Sequence, residues 1–399
     1  MHKPELLSPA GSMESLRAAV RYGADAVYFG GPKLQMRASS AGFTMEKAAE
    51  AVDFLHAAGK KAYITVNTVL SEAQLSELPQ YIGLLGELAP DGLIAADLGA
   101  VVKIHALLKN MPIILSTQAN VMNSAAANAY HDLGVTKIVL AREMPLEDIA
   151  LLRKNIRPEL ELEAFVHGSM CMAYSGRCLL SSFLLDRSAN RGECAQSCRW
   201  EYRLEERKRP GQFFPIEEAD RFSMILSSRD LCMIEHLDAL AEAGVVSFKI
   251  EGRMKTEYYT AAVTNAYRMA LDAAAPLPVC RAELDKVSHR PYTTGFYYKE
   301  LPDAHFNSGL YEQDWSFAGT VLSYENGLVT LRQRNKISAG DTLDVLSPGR
   351  AAQTFRAEYL LNEADEKIES APHPLMTVKL PCPFPVAPGD MLRKPVTEH

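Results

Sequence analysis

Five of the seven cysteines, Cys171, Cys178, Cys194, Cys198 and Cys232, fall in one stretch, spaced Cys171-x6-Cys178-x15-Cys194-x37-Cys232 with Cys198 four residues after Cys194. Thiolates from separated points of a chain can enclose one soft metal centre, because the ion compensates the charge that each thiolate must carry. Structural zinc usually sits between paired CxxC knuckles, and this chain has none. Cysteines dispersed in this way suit a four-cysteine iron-sulfur cluster held by loops. A zinc ion, a redox thiol pair and plain core cysteines remain the other readings. Cys280 and Cys382 stand alone and are expected to be buried small hydrophobes. An odd number of cysteines in a chain expected to be cytoplasmic argues against a disulfide framework.

The elements that must position these groups follow a repeating pattern of short apolar run, polar or glycine end, and helix-period segment. The runs span residues 5–11, 24–31, 61–67, 91–97, 112–118, 137–143, 161–168 and 245–252. Strands this apolar, separated by helices, belong to a parallel sheet buried on both faces, and eight of them predict a (β/α)8 barrel of the TIM type. The first helix is expected to start at a Ser12 cap and stop at Gly23. Domain boundaries are expected at 1–275 for the barrel, with a Cys-rich insertion over 169–244, then a linker over 276–314 marked by PLPVC. A small all-β, barrel-like module follows over 315–399. The insertion is expected to end in a helix over about Asp230–Ala243. A hairpin is expected about Asn326-Gly327, with Arg332, Arg334 and Lys336 alternating along one strand face.

The barrel reading brings the C-terminal strand ends to one face, where active sites of this architecture sit. Asn67, Asp97, Gln118, Arg142, Glu143, Glu163, His167, Glu251 and Arg253 all stand at or near such ends. The net charge of -7 means that a nucleic-acid partner would have to be met by a local basic patch. No HExxH, GxSxG, GxGxxG or Walker motif occurs, which argues against those hydrolase and nucleotide chemistries. The N-terminus lacks the apolar run of a signal peptide and no long uncharged stretch follows, so a cytoplasmic protein with no membrane partner is expected.

The stretch EAFVHGSMCMAYSGRCLLS, Glu163 to Ser181, resembles the signature of the collagenase-like peptidases of unknown mechanism, family U-thirty-two. RGECAQSCRW, SFKIEGRMKTEYY, SPAG and DAVYFGG resemble further blocks of that family, so that the resemblance covers nearly the whole chain. It implies oxygen-independent hydroxylation rather than the activity in the family name. Branches of the family act on the tRNA wobble uridine, giving 5-hydroxyuridine, on a 23S ribosomal RNA cytidine, and on the ubiquinone ring. It also implies a 4Fe-4S cluster and, in the RNA branches, prephenate as a hydroxyl donor. The cluster ligands carried over are Cys171, Cys178, Cys194 and Cys232, with Cys198 as a competing ligand. One small β module after the barrel, with KIEGRMK intact, is most similar to the tRNA branch.

Within that resemblance, His167, Glu163 and Glu251 are the expected catalytic groups. Arg253, Lys249, Asn67, Gln118 and Tyr258 are the expected substrate-binding ones. Arg253 with Lys249 and Lys255 suits a dicarboxylate such as prephenate, since a guanidinium binds a carboxylate bidentately. His167 offers a proton and Tyr258 a face on which a base could stack. Arg203, Arg207, Lys208, Arg209 and the β module would hold the tRNA, and a related second subunit is a further expected partner. Two alternatives stand beside this one: a zinc-dependent collagenase-like peptidase, and a scaffold in quinone or ribosomal RNA hydroxylation.

Overall fold

The eight apolar runs form eight parallel strands, β1 to β7 and β9, in the computed structural model. It describes residues 3–36, 42–171, 173–197, 204–205, 213–214, 229–298 and 311–396. The strands are β1 (Glu5–Pro9), β2 (Ala26–Gly30), β3 (Lys61–Val66), β4 (Gly92–Ala95), β5 (Ile113–Leu115), β6 (Val135–Val139), β7 (Glu161–Ser169) and β9 (Ser247–Ile250). Each pairs in parallel with the next, and β9 pairs with both β7 and β1, which closes the barrel. Nearly every residue of these strands is buried, as expected where side chains fill the barrel interior on one face and meet helices on the other.

Five of the helices between them, and the helix after the last strand, begin on short polar side chains, whereas α6 (Leu146–Asn155) and α7 (Leu180–Leu185) have no side-chain cap. Ser12, Thr44, Ser71, Asp97, Asn123 and Thr256 each accept a hydrogen bond from the backbone N–H three residues on. These caps satisfy one orphan donor per helix and fix where each strand-to-helix loop ends. They start α1 (Met13–Arg21), α2 (Met45–Ala57), α3 (Glu72–Glu87), α4 (Leu98–Leu107), α5 (Ser124–Asp132) and, further on, α9 (Glu257–Leu271). Asp97, one of the strand-end residues, therefore works as a cap and also accepts from the Leu70 N–H.

Two expectations are corrected. The segment read as a helix over about Asp230–Ala243 opens instead with a strand, β8 (Asp230–Cys232). It lies antiparallel to the end of β7, with Asp230 opposite Ser169 and Cys232 opposite His167. Only Leu237–Glu242 is α-helix, α8. The open edge of β7 beyond the barrel offers backbone partners, and that pairing outweighs the local helical pattern. The supposed linker over 276–314 holds another helix, α10 (Leu277–Leu284), with Pro276 at its cap and Pro278 in its first turn. Proline is well tolerated there, because first-turn N–H groups have no intrahelical partner. Cys280, Leu284 and Val287 are buried in the core of the barrel layer.

Residues 315–395 form an eight-stranded antiparallel sheet, a half-barrel around its own core of Val321, Leu331, Leu343, Phe355, Val378 and Leu380. Asn326 and Gly327 both have positive φ, 51° and 83°, as a tight hairpin turn requires, and join Trp315–Glu325 to Leu328–Gln333. Of the three basic residues expected on one strand face, Arg332 lies in the strand. Arg334 and Lys336 follow its end, and Arg334 pairs with Glu257 at 2.9 Å.

The module is seated along α1, α9 and α10. Tyr22 donates to the Leu346 carbonyl at 2.9 Å, and Asn265 accepts from the Gly349 N–H at 2.7 Å. Buried Arg393 pairs with Glu283 of α10 at 2.5 Å and lies 3.5 Å from Asp344, which also takes Lys286 at 2.8 Å. With neighbours on both sides, eleven of the fifteen residues of α9 are buried.

Candidate active site at the barrel mouth

The C-terminal strand ends surround a cavity of about 310 Å³. Its floor is built from residues pointing into the barrel: Tyr28 of β2, Thr65 of β3, Phe165 of β7 and Lys249 of β9. Asn67, Ser116, Gln118, Arg142, Glu251 and Arg253 form its polar wall, and Cys171, Cys178 and Cys194 line it from the loop that follows β7.

That loop is pinned to the barrel rim. The Glu143 carboxylate accepts from the Ser175 N–H at 2.9 Å, and Asn120 donates to the Ser175 carbonyl at 3.1 Å. Asn190 donates to the Cys178 carbonyl at 3.2 Å, and the Arg142 guanidinium to the Ser169 carbonyl at 2.7 Å. Gly176 has φ +73°, and a Cβ there would stand 2.0 Å from the Gln118 carbonyl, so the chain passes against the rim where only glycine fits.

The expected ligands divide. Cys171 is exposed, while Cys178 and Cys194 are partly buried, and all three open onto the cavity. Cys232 is not part of the lining. Its buried sulfur accepts a hydrogen bond from the Tyr267 hydroxyl at 3.9 Å, and burial pushes its thiol pKa up. Among the described residues, no three Cys, His, Asp or Glu side chains stand close enough together to hold a metal ion. Three thiols opening onto one cavity have the chemistry that a soft metal or cluster takes, but among the described residues they are not gathered about one point, and a fourth would have to come from Cys232 or Cys198. Cys198 and the basic residues Arg203, Arg207, Lys208 and Arg209 lie outside the described residues.

The expected catalytic and binding residues also separate. Lys249, Glu251, Arg253, Asn67 and Gln118 line the cavity. Arg253, 5% exposed, donates to Gln35 and to Thr65, each at 3.0 Å. Glu251 accepts from the Tyr28 hydroxyl at 3.4 Å and lies 3.7 Å from Arg142. Glu163 sits one layer deeper, fully buried, accepting from Lys249 at 2.7 Å and from the Ser247 hydroxyl at 3.1 Å. Burial pulls the Lys249 pKa down against the opposing pull of Glu163.

His167 is outside the lining. It is 1% exposed and enclosed by Tyr259, Tyr267 and Tyr292, with ring centroids 5.4 to 6.1 Å away. Burial, with His289, Lys255 and Arg281 nearby, pulls its pKa down to about 3, so its ring is neutral at physiological pH. Tyr258 faces away from the mouth. It stacks on Phe317 of the β module at 5.2 Å and donates to the Lys286 carbonyl. The strand-end pattern did not single out Tyr28, Thr65 or Ser116, because their runs read as ordinary buried strand.

A closed parallel barrel with a thiol-bearing loop and three cationic side chains on one small mouth cavity defines the class, an α/β-barrel protein with its polar groups gathered at the strand C-termini. The chain belongs to peptidase family U32, whose model matches residues 11–307, while the model of the U32 C-terminal domain matches residues 313–393. It is 36% identical to tRNA hydroxylation protein P of Escherichia coli, across 96% of this chain and 94% of that protein. It is also 36% identical to tRNA hydroxylation protein P1 of Bacillus subtilis, across 98% and 95%. A Porphyromonas gingivalis protein named collagenase is 35% identical across 67% of this chain and 66% of its own length. No helix among the described residues is long and apolar enough to cross a membrane.

Proposed function

We propose that the chain is a tRNA-modifying protein that takes part in oxygen-independent hydroxylation of the wobble uridine to 5-hydroxyuridine, with prephenate as donor and a 4Fe-4S cluster at the mouth cavity. The observation that carries this reading is that Cys171, Cys178 and Cys194 open onto the same cavity as Arg142, Lys249 and Arg253. A dicarboxylate there would meet two guanidinium groups, whose planar donors match carboxylate oxygens. Asn67 and Gln118 would orient it, and Glu251 stands on Arg142 as the counter-charge to be exchanged for a ligand carboxylate. Cys171, Cys178 and Cys194, with Cys232 or Cys198, would hold the cluster, which supplies one-electron chemistry when bound. Near-full-length similarity to proteins named for tRNA hydroxylation supports tRNA as the partner.

The test is nucleoside analysis of tRNA from a bacterial strain lacking its own 5-hydroxyuridine pathway protein, carrying this chain or its Cys171→Ser and Arg253→Gln variants. The parent chain should restore 5-hydroxyuridine and both variants should lose it. Anaerobically purified parent protein should carry about four irons and four sulfides, as a 4Fe-4S centre requires. Unmodified tRNA despite normal protein levels, or gelatin hydrolysis that a chelator stops, would replace this reading with the peptidase one.

A further inference from the structure

Lys249 is placed for more than electrostatic attraction. It stands on β9 among the residues that line the cavity, and its side chain is 5% exposed. The amine lies 4.3 Å from the centre of the Tyr28 ring and 5.6 Å from that of Phe165, two residues that line the cavity with it. Glu163 is held against it from below by a chain of contacts. Ser247 bridges Glu163 and Glu5 at 3.1 and 2.9 Å, and Glu5 pairs with Lys137 at 3.0 Å. The titratable and charged groups that face the amine are Glu163, Glu251, Lys137, Tyr28 and Arg253. Burial and Lys137 disfavour its ammonium form, and the two carboxylates favour it. A buried lysine that can hand its proton to a carboxylate beside it exposes a lone pair able to attack a carbonyl.

We propose that Lys249 forms a protonated imine with the carbonyl carbon of a small 2-oxo acid bound in the mouth cavity. The ammonium first passes a proton to Glu163. The nitrogen lone pair then forms a C–N bond as the carbonyl π bond breaks, and the oxygen, taking one proton from the nitrogen and the one held by Glu163, leaves as water. Ammonium plus ketone becomes iminium plus water, with charge conserved and nothing oxidised or reduced. The carboxylate beside the carbonyl falls to Arg253 and Arg142, which explains why a 2-oxo acid is selected over a simple ketone. The inference rests on the carboxylate-site reading above, since prephenate itself carries a 2-oxo acid side chain, but it does not need tRNA chemistry.

The test uses the purified full-length chain with pyruvate and cyanoborohydride, read by intact mass and peptide mapping. Lys249 should be alkylated in a saturable manner and faster than any surface lysine, because binding in the cavity holds the carbonyl beside its amine. Lys249→Arg keeps a cation opposite Glu163, preserving the fold, and should abolish the adduct; Lys137→Arg should keep it. Labelling confined to surface lysines, or equal labelling of Lys249→Arg, overturns the imine. If Lys249 labels but tRNA stays unmodified, the imine stands and the tRNA reading falls. If 5-hydroxyuridine forms without labelling, only the imine falls.

Discussion

Replacing Glu163 by Gln tests the deepest part of the site. Glutamine keeps the volume and can still accept from Ser247, so no cavity contribution enters, and what is lost is the charge 2.7 Å from Lys249. Breaking one partner of a buried ion pair costs about 3–5 kcal/mol. A second route to the magnitude is the escape open to Lys249, which is to fold as the neutral amine. Holding an amine of ordinary pKa, about 10.4, neutral at pH 7 costs about 4.6 kcal/mol. Glu251 still attracts the amine, so the loss falls below that ceiling. The sign with pH follows from linkage. Burial already holds the folded pKa of Lys249 below the unfolded value and loss of Glu163 lowers it further, so the unfolded chain binds more protons and the variant's stability rises more steeply with pH, up to about 10.4. At pH 9 the ceiling is only about 1.9 kcal/mol. Urea unfolding of parent and variant at pH 7 and pH 9, followed by circular dichroism, measures both values. A difference below about 1 kcal/mol at pH 7, or one that does not shrink by pH 9, would refute the dependence of Lys249 on Glu163.

Other perturbations separate the remaining parts of the site. Gly176→Ala should displace the Cys171–Cys178 loop from the rim, because its Cβ would meet the Gln118 carbonyl; retained iron after anaerobic purification would contradict that. His167, pulled down to about 3, should show ring resonances that do not move between about pH 5 and 8 in NMR titration. Since its folded pKa lies below the unfolded value, the stability linked to it is lost as pH falls through the window from about 6.5 toward 3. Arg393→Met leaves Glu283 and Asp344 sharing Lys286 alone, and should cost about 3–5 kcal/mol in denaturant unfolding.

The barrel was legible because its strands are uniformly apolar and end in polar residues, a pattern that few other architectures share. Its caps were legible at Ser12 because serine before an acidic first turn has a local cause. What escaped was set by distant partners. Asp230–Cys232 carries a sequence that suits a helix, and becomes a strand because β7 runs past the barrel and leaves an edge to pair with. Pro276 and Pro278 read as linker residues but serve equally well to begin a helix. At the site, Glu251 and Arg253 were visible as strand-end residues, and Lys249 as positive charge close to them. Tyr28 and Thr65 were not, since alternation along a buried strand does not tell the barrel's inside from its outside. His167 and Tyr258 misled for a related reason: a polar tip on a large ring satisfies a buried carbonyl as readily as it meets a ligand.

The covering of α9 on both sides bears on how the chain is made. The barrel leaves the ribosome first, and until the last strand, Met391–Pro395, has been synthesised, the outer face of α9 and the acidic pair Glu283 and Asp344 have no Arg393 and no module core against them. The nascent barrel therefore spends the closing phase of translation with a sticky flank exposed. A premature stop anywhere in the module should yield an aggregating product rather than a working half, and the order of synthesis makes the C-terminal module the late cover of the barrel's flank.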